Sequence, residues 1–183
     1  VVLDRPKVGG RLGFSVDAVA ALQPDLVLVT PARQAAHQLI EPMRRLGIPV
    51  MVLLSRSVGE VIDNVELVAR ATGVASHGKI LAGALKDRLA AVQTRVTGIP
   101  RPRAVLITGR IGNGMLLVAR PDTYTGEAVV MAGAQHALTG AGALPQVSPE
   151  AVLSSQPDVI LFAGEQAAMD TLLAQPGWRD LPA

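Results

Sequence analysis

Residues 15–30, SVDAVAALQPDLVLVT, and residues 148–163, SPEAVLSSQPDVILFA, are two copies of one pattern. Ser, Ala, Val, Gln, Pro, Asp and Leu coincide, seven of the sixteen positions. In each copy a serine precedes a short apolar helix pattern, where its hydroxyl can cap the first N–H groups. An acid follows two residues later, Asp17 or Glu150. Pro24 and Pro157 then stop the helix, because proline disfavours helical geometry in the residue before it. Each copy closes on an apolar run, DLVLVT or DVILFA, which fits a strand covered on both faces. The copies begin 133 positions apart, far beyond a solenoid period. The pattern predicts a chain of two similar halves.

The sequence between the copies supports that division. Gln34 to Leu46 places Ala35, Ala36, Leu39, Ile40, Met43 and Leu46 at helical spacing, and PVMVLL (49–54) is a second apolar run. Strand, helix and strand within about thirty residues predict a parallel, right-handed βαβ unit. Val58 to Thr72 is a second amphipathic helix. Residues 76–97 form the longest helical pattern, with Leu81, Leu85, Leu89, Val92 and Val96 in one stripe. At 1.5 Å per residue it would span roughly 33 Å. After Gly98–Pro102 the alternation restarts: RAVLIT (103–108) and MLLV (115–118) as strands, then helices over 124–133, 148–155 and 166–174 around the strand DVILFA. The expected class is α/β: two small lobes with parallel sheets joined by one long helix. The boundaries are 1–75, 76–98 for the helix, and 99–183.

Composition removes several functions. The net charge is +2, only 17% of residues are charged, and no basic run exceeds two residues, so nucleic-acid binding lacks an electrostatic footprint. Phe14, Tyr124, Phe162 and Trp178 are the only aromatics, too few for base-stacking surfaces. Trp178 reads as a packing anchor. There is no cysteine, and no apolar run reaches the ~18 residues of a membrane span. The Gly-rich stretches VGGRLGF, GRIGNG and LTGAGAL match neither the dinucleotide fingerprint nor a P-loop and read as ordinary turns. His37, His77 and His136 are isolated, without metal-ligand spacing. His136 is expected at a helix C-terminus, where the helix dipole favours its charged form. No nucleophile elbow or paired acids require covalent or acid–base chemistry. On pattern alone, Asp17 and Glu150 are acids placed favourably in first helical turns.

The ordered set GFSVDAVAALQPDLVLVT, RRLGIPVMVL, the long helix, TGEAVVMAGAQHAL, VSPEAVLSSQPDVIL and QPGWRDLPA resembles the periplasmic substrate-binding proteins of ABC importers for iron-siderophores, haem and cobalamin. The resemblance covers nearly the whole chain. It implies two lobes joined by a rigid backbone helix, a metal chelate held in the cleft between the lobes, and delivery to a membrane permease without enzymatic chemistry. It carries the family's permease-docking acids onto Asp17 and Glu150. Asp17 is one methylene shorter than the family's usual Glu. It implies a periplasmic or lipid-anchored cell-surface location, with the leader not present in this chain. It also implies further elements at both ends, a strand, helix and strand before Val1 and a strand and helix after Ala183, and so exposed strand edges in this chain.

Ligands of open parallel sheets bind beyond the C-terminal ends of the strands. Candidate ligand-binding residues are therefore Thr30, Arg33, Arg56 and the adjacent Ser57 in the first lobe, and Arg110, Tyr124 and Glu165 in the second. Arginine bonds carboxylates and anionic chelates bidentately. Arginines with few aromatics favour a ferric siderophore over haem or cobalamin. No direct metal ligand and no resident cofactor are expected, so a metal would arrive inside its chelator. Two rival readings are a chelate-sensing module without transport and an α/β enzyme using a nucleotide.

Overall fold

A computed structural model of the chain describes residues 4–10, 13–30, 36–112, 114–138 and 146–178. The chain divides into two compact units, Val1–Leu54 and Ser55–Ala183. Arg33 and the stretch 139–145 lie outside the described residues.

In the first unit, β1 (Gly9–Gly10) and β2 (Gly13–Phe14) pair antiparallel. They are followed by α1 (Val16–Ala21), β3 (Val27–Val29), α2 (Ala36–Arg45) and β4 (Val50–Val52). The predicted βαβ unit is present: β3 and β4 are parallel, with Val27 opposite Val50 and Val29 opposite Val52. Pro42 lies inside α2, where its missing N–H removes one internal hydrogen bond. The next residue, Met43, is fully buried and forms the core with Val19, flanked by Phe14, Val27, Val29, Ile48 and Val50. This packing keeps the proline-containing helix in place.

The second unit begins with α3 (Val58–Ala71) and α4 (Ala75–Val96), the predicted long helix. The two pack on each other at small residues: a Cβ on Gly78 would stand 2.3 Å from that of Ala69. Then come β5 (Arg103–Arg110), β6 (Leu116–Val118), α5 (Tyr124–Met131), β7 (Gln135–His136), β8 (Gln146–Val147), α6 (Pro149–Ser154), β9 (Val159–Phe162) and α7 (Gln166–Leu173).

The sheet of this unit is mixed. β5 pairs parallel with β7 on one edge and with β9 on the other, while β6 pairs antiparallel with both β5 and β8. The reason is local. The turn of GRIGNG, closed by Ile111 N–H donating to the Met115 carbonyl, is too short for a crossover, so the chain returns as a hairpin. Val105, Ile107, Leu116, Val118, Val152 and Leu172 form the core together with Trp178, which is only 3% exposed, a packing role as expected. Each fully buried aliphatic side chain contributes about 1.5–3 kcal/mol.

His136 departs from the sequence reading. It lies in β7, opposite Ala104, and not at a helix end. Helix α5 stops at Met131, its turn completed through Gly133 at φ 90°, and the chain is extended again by residue 135. The His136 imidazole sits 3.2 Å from the Gly126 carbonyl oxygen.

The two copies of the opening pattern fold alike. Ser15 accepts from Ala18 N–H at 3.1 Å, and Ser148 from Ala151 N–H at 3.2 Å. Eight residues beyond each serine stands a glutamine in the left-handed region, Gln23 at φ 47° and Gln156 at φ 44°. Proline, aspartate and a strand follow each glutamine.

Candidate ligand-binding site

Two of the candidate residues, Arg110 and Glu165, lie at one end of the second unit's sheet. Arg110 is the last residue of β5 and is exposed. β9 runs parallel to β5 with Phe162 level with Ile107, so Glu165, three residues on, emerges at the same end as the exposed N-cap of α7. β7 is level with Arg103 and Ala104 at the opposite end. Helix α5, which leads into β7, spans about 12 Å over its eight residues. Its first residue, Tyr124, is 44% exposed and comes five residues after Ala119, whose N–H donates to the Leu106 carbonyl midway along β5.

Arg56 is linked to the start of α5 through a long-range bond. The N–H of Val58, the first residue of α3, donates to Glu127 Oε2 of α5 at 2.6 Å. Glu127 is one turn along from Tyr124, so the starts of α3 and α5 are joined. Arg56 immediately precedes the N-cap Ser57. Glu60 organises this segment: its amide donates to Ser57 Oγ at 3.0 Å, and its carboxylate accepts from Arg56 N–H at 2.8 Å and from Arg56 Nε at 3.0 Å. The Arg56 guanidinium holds the Glu60 carboxyl below the usual carboxylate range. Arg56 thus presents a guanidinium already braced by one carboxylate.

The helix α5 start is built tightly. Thr123 Oγ1 accepts from Gly126 N–H and donates to the Arg120 carbonyl, and Arg120 pairs with Asp122. A Cβ on Gly126 would fall 1.8 Å from the Arg120 carbonyl oxygen, so only glycine fits there.

In the first unit, Thr30 follows β3 at its C-terminal end and is exposed. Asp17 and Glu150 occupy the first turns of α1 and α6, and both are exposed. The Glu150 carboxyl is held below the usual range by its own backbone N–H and then by the Ser148 hydroxyl.

Among the described residues, no three of His, Cys, Asp and Glu stand close enough to hold a metal ion, and no helix is long and apolar enough to cross a membrane. An apolar groove of about 430 Å³ lies elsewhere, along α3 and α4, lined by Val61, Val65, Val68, His77 and Leu81; it contains none of the candidate residues.

A model of the periplasmic binding protein family matches residues 2–183. The chain belongs to the periplasmic binding protein family. It is 25% identical over 189 aligned residues to a vitamin B12-binding protein of Vibrio parahaemolyticus, an alignment covering 98% of this chain and 66% of that protein. It is 26% identical to an Fe(3+)-citrate-binding protein of Bacillus subtilis, covering 99% of this chain and 57% of that one. Among solved structures, a periplasmic haem-binding protein in complex with two haems superposes with a TM-score of 0.80 at 29% identity, over 97% of this chain and 69% of that one. The α/β fold described above is the fold of these periplasmic binding proteins. The chain spans about two thirds of the length of the vitamin B12-binding relative.

Sequence reasoning passed over Glu60 and Glu127. Glu60 had a local signal, the Ser-x-x-Glu spacing of a capping box at 57–60. Glu127 had none, because an acid in a first helical turn looks the same whether it faces water or a second helix 69 residues away in sequence.

Proposed function

We propose that this chain is the substrate-binding part of an ABC importer, one that captures a metal chelate and hands it to a membrane permease without covalent chemistry. Two observations support the ligand reading: Arg110 and Glu165 stand at the C-terminal ends of β5 and β9, where ligands of such sheets bind, and Arg56 is tied through the first turn of α3 to the start of α5, which Tyr124 opens. Thr30, at the end of β3, is the corresponding candidate in the first unit, and Arg33 belongs to the same proposed set. A ferric siderophore or carboxylate chelate suits two arginines, because a guanidinium bonds an anionic chelate bidentately. The bacterial Fe(3+)-citrate-binding relative agrees with that chemistry, and the vitamin B12- and haem-binding relatives name its competitors. An importer's binding protein works outside the cytoplasm, periplasmic or anchored at the cell surface.

Titration of the purified full-length protein with ferric citrate, haem and cyanocobalamin, read by visible absorption and mass spectrometry, tests the ligand. Binding of ferric citrate alone is the expected result. A haem or corrinoid spectrum on the protein overturns the choice of a ferric chelate, and stabilisation by nucleotides alone overturns the transport reading.

We place permease docking on Asp17 and Glu150, the exposed acids of the duplicated helix starts. Charge reversal by Asp17→Arg or Glu150→Arg is expected to slow chelate uptake about tenfold or more, by repelling permease arginines, while ligand affinity stays unchanged. Normal uptake by both variants removes the docking role.

A further inference from the structure

Glu127 is the one residue that carries a bond from α5 to the start of α3 in the contacts described above; it lies one turn beyond Tyr124, and its partner Val58 lies two residues beyond Arg56. We propose that Glu127 is a positioning residue for ligand capture: its carboxylate clamps the first turn of α3 to the first turn of α5, so that Arg56 and Tyr124 are presented from one rigid frame. The proposal rests on the ligand-binding reading for its purpose, while the clamp itself rests on geometry.

Three features make the bond a clamp and not an incidental contact. First, it is short and charge-assisted: a carboxylate accepts from the Val58 N–H at 2.6 Å in a partly buried setting. Val58 N–H is one of the N-terminal donors of α3 that no helical carbonyl can reach, and the positive end of a 14-residue helix favours an anion there. Second, Glu127 stands on a fixed base. Its neighbour Gly126 is pressed against the Arg120 carbonyl, and His136, in the sheet, lies against the Gly126 carbonyl. The α5 start therefore cannot shift without disturbing the strand beside it. Third, Val58 lies just beyond the point where the chain passes from the first unit to the second, after Leu54. The local bonds of Ser57 and Glu60 hold this segment together internally. They do not reach α5, and the Glu127 carboxylate does.

Because Glu60 braces the Arg56 guanidinium, that guanidinium moves with the first turn of α3. Release of Val58 would let Arg56 drift relative to Tyr124, and a misplaced arginine loses bidentate geometry before it loses charge. Affinity should fall through the cost of re-ordering the rim on binding.

The test compares Glu127→Ala, Glu127→Asp and Glu127→Gln in the full-length protein. Hydrogen exchange of the Val58 amide is read with affinity for ferric citrate, haem and cyanocobalamin and with Tm. Glu127→Ala is expected to speed Val58 exchange and to weaken binding of whichever chelate the wild type takes, each about tenfold or more. Glu127→Asp keeps the charge but retracts it by a methylene and should give the same direction with a smaller effect, which keeps the test alive if the alanine variant fails to fold. Glu127→Gln keeps a carbonyl acceptor but loses the charge, so both readouts should fall between those of Glu127→Ala and wild type. Unchanged Val58 exchange in Glu127→Ala and Glu127→Asp overturns the clamp. Faster exchange with unchanged affinity overturns its role in capture. If the wild type binds none of the three chelates, the presentation role falls with the ligand reading, and Val58 exchange still decides the clamp.

Discussion

Glu60 does two things at the start of α3. It completes the cap with Ser57, and it takes both the amide and the guanidinium of Arg56. Its carboxyl is held low chiefly by the Arg56 side-chain hydrogen bonds and then by the Arg56 amide. A group whose folded pKa is depressed stabilises the fold above its unfolded value, and that contribution disappears as pH falls through the folded value. Thermal stability should therefore decline on acidification below the ordinary carboxylate range, and Glu60→Gln should flatten that decline. Glu41, held low by the Arg44 hydrogen bond, contributes with the same sign. Both ion pairs are open to solvent on one side, so added salt should shrink the effect. Melting curves across pH 3–7 at about 0.05 and 0.5 M salt check this; a decline as steep in Glu60→Gln as in wild type removes Glu60 as its source.

Helices α1 and α6 are the same element built twice. Each is six residues long, capped by a serine and closed by a left-handed glutamine before proline. Loss of such a cap costs about 1 kcal/mol, so Ser15→Ala and Ser148→Ala should each lower unfolding free energy by about that amount in urea titrations. In the double variant each loss should appear in the transition of its own unit, since the sites belong to different units. These elements could be read from the sequence because their determinants are local: a cap, a proline and an apolar run within sixteen residues. The βαβ unit and the long helix were readable for the same reason. The antiparallel return of β6 depends on a tight loop turn, and the strand at His136 on pairing with β5, so neither follows from hydrophobic period alone. At the candidate site, Arg110 and Glu165 could be placed by the strand-end rule. The link between Arg56 and Tyr124 could not, because it runs through a bond between residues 58 and 127.

The two units differ in how much core each has. Among the described residues, the first unit's core cluster holds Val19 and Met43, while the second unit's holds eight buried residues around Ile107 and Leu116. Stability follows buried apolar contact, so the chain should not open as one body. In hydrogen exchange under rising urea, amides of β3 and β4 should lose protection before those of β5 and β9. Simultaneous loss would show a single cooperative unit. The duplicated segment has a different consequence at this scale. From Ser15 to Asp25 and from Ser148 to Asp158 the chain takes the same ten steps, with the left-handed residue at the eighth. The carboxylate at the far end of the second copy already has a partner: Asp158 accepts from the Arg103 amide at 2.7 Å, which sets where β9 meets β5. Adding or deleting one residue inside such a spacer would move the strand by one position and turn its core side chains to the opposite face. The segment therefore tolerates changes of letter far better than changes of length, and a lineage of such proteins should vary in length in the loops around it, with the spacer itself kept at a constant count.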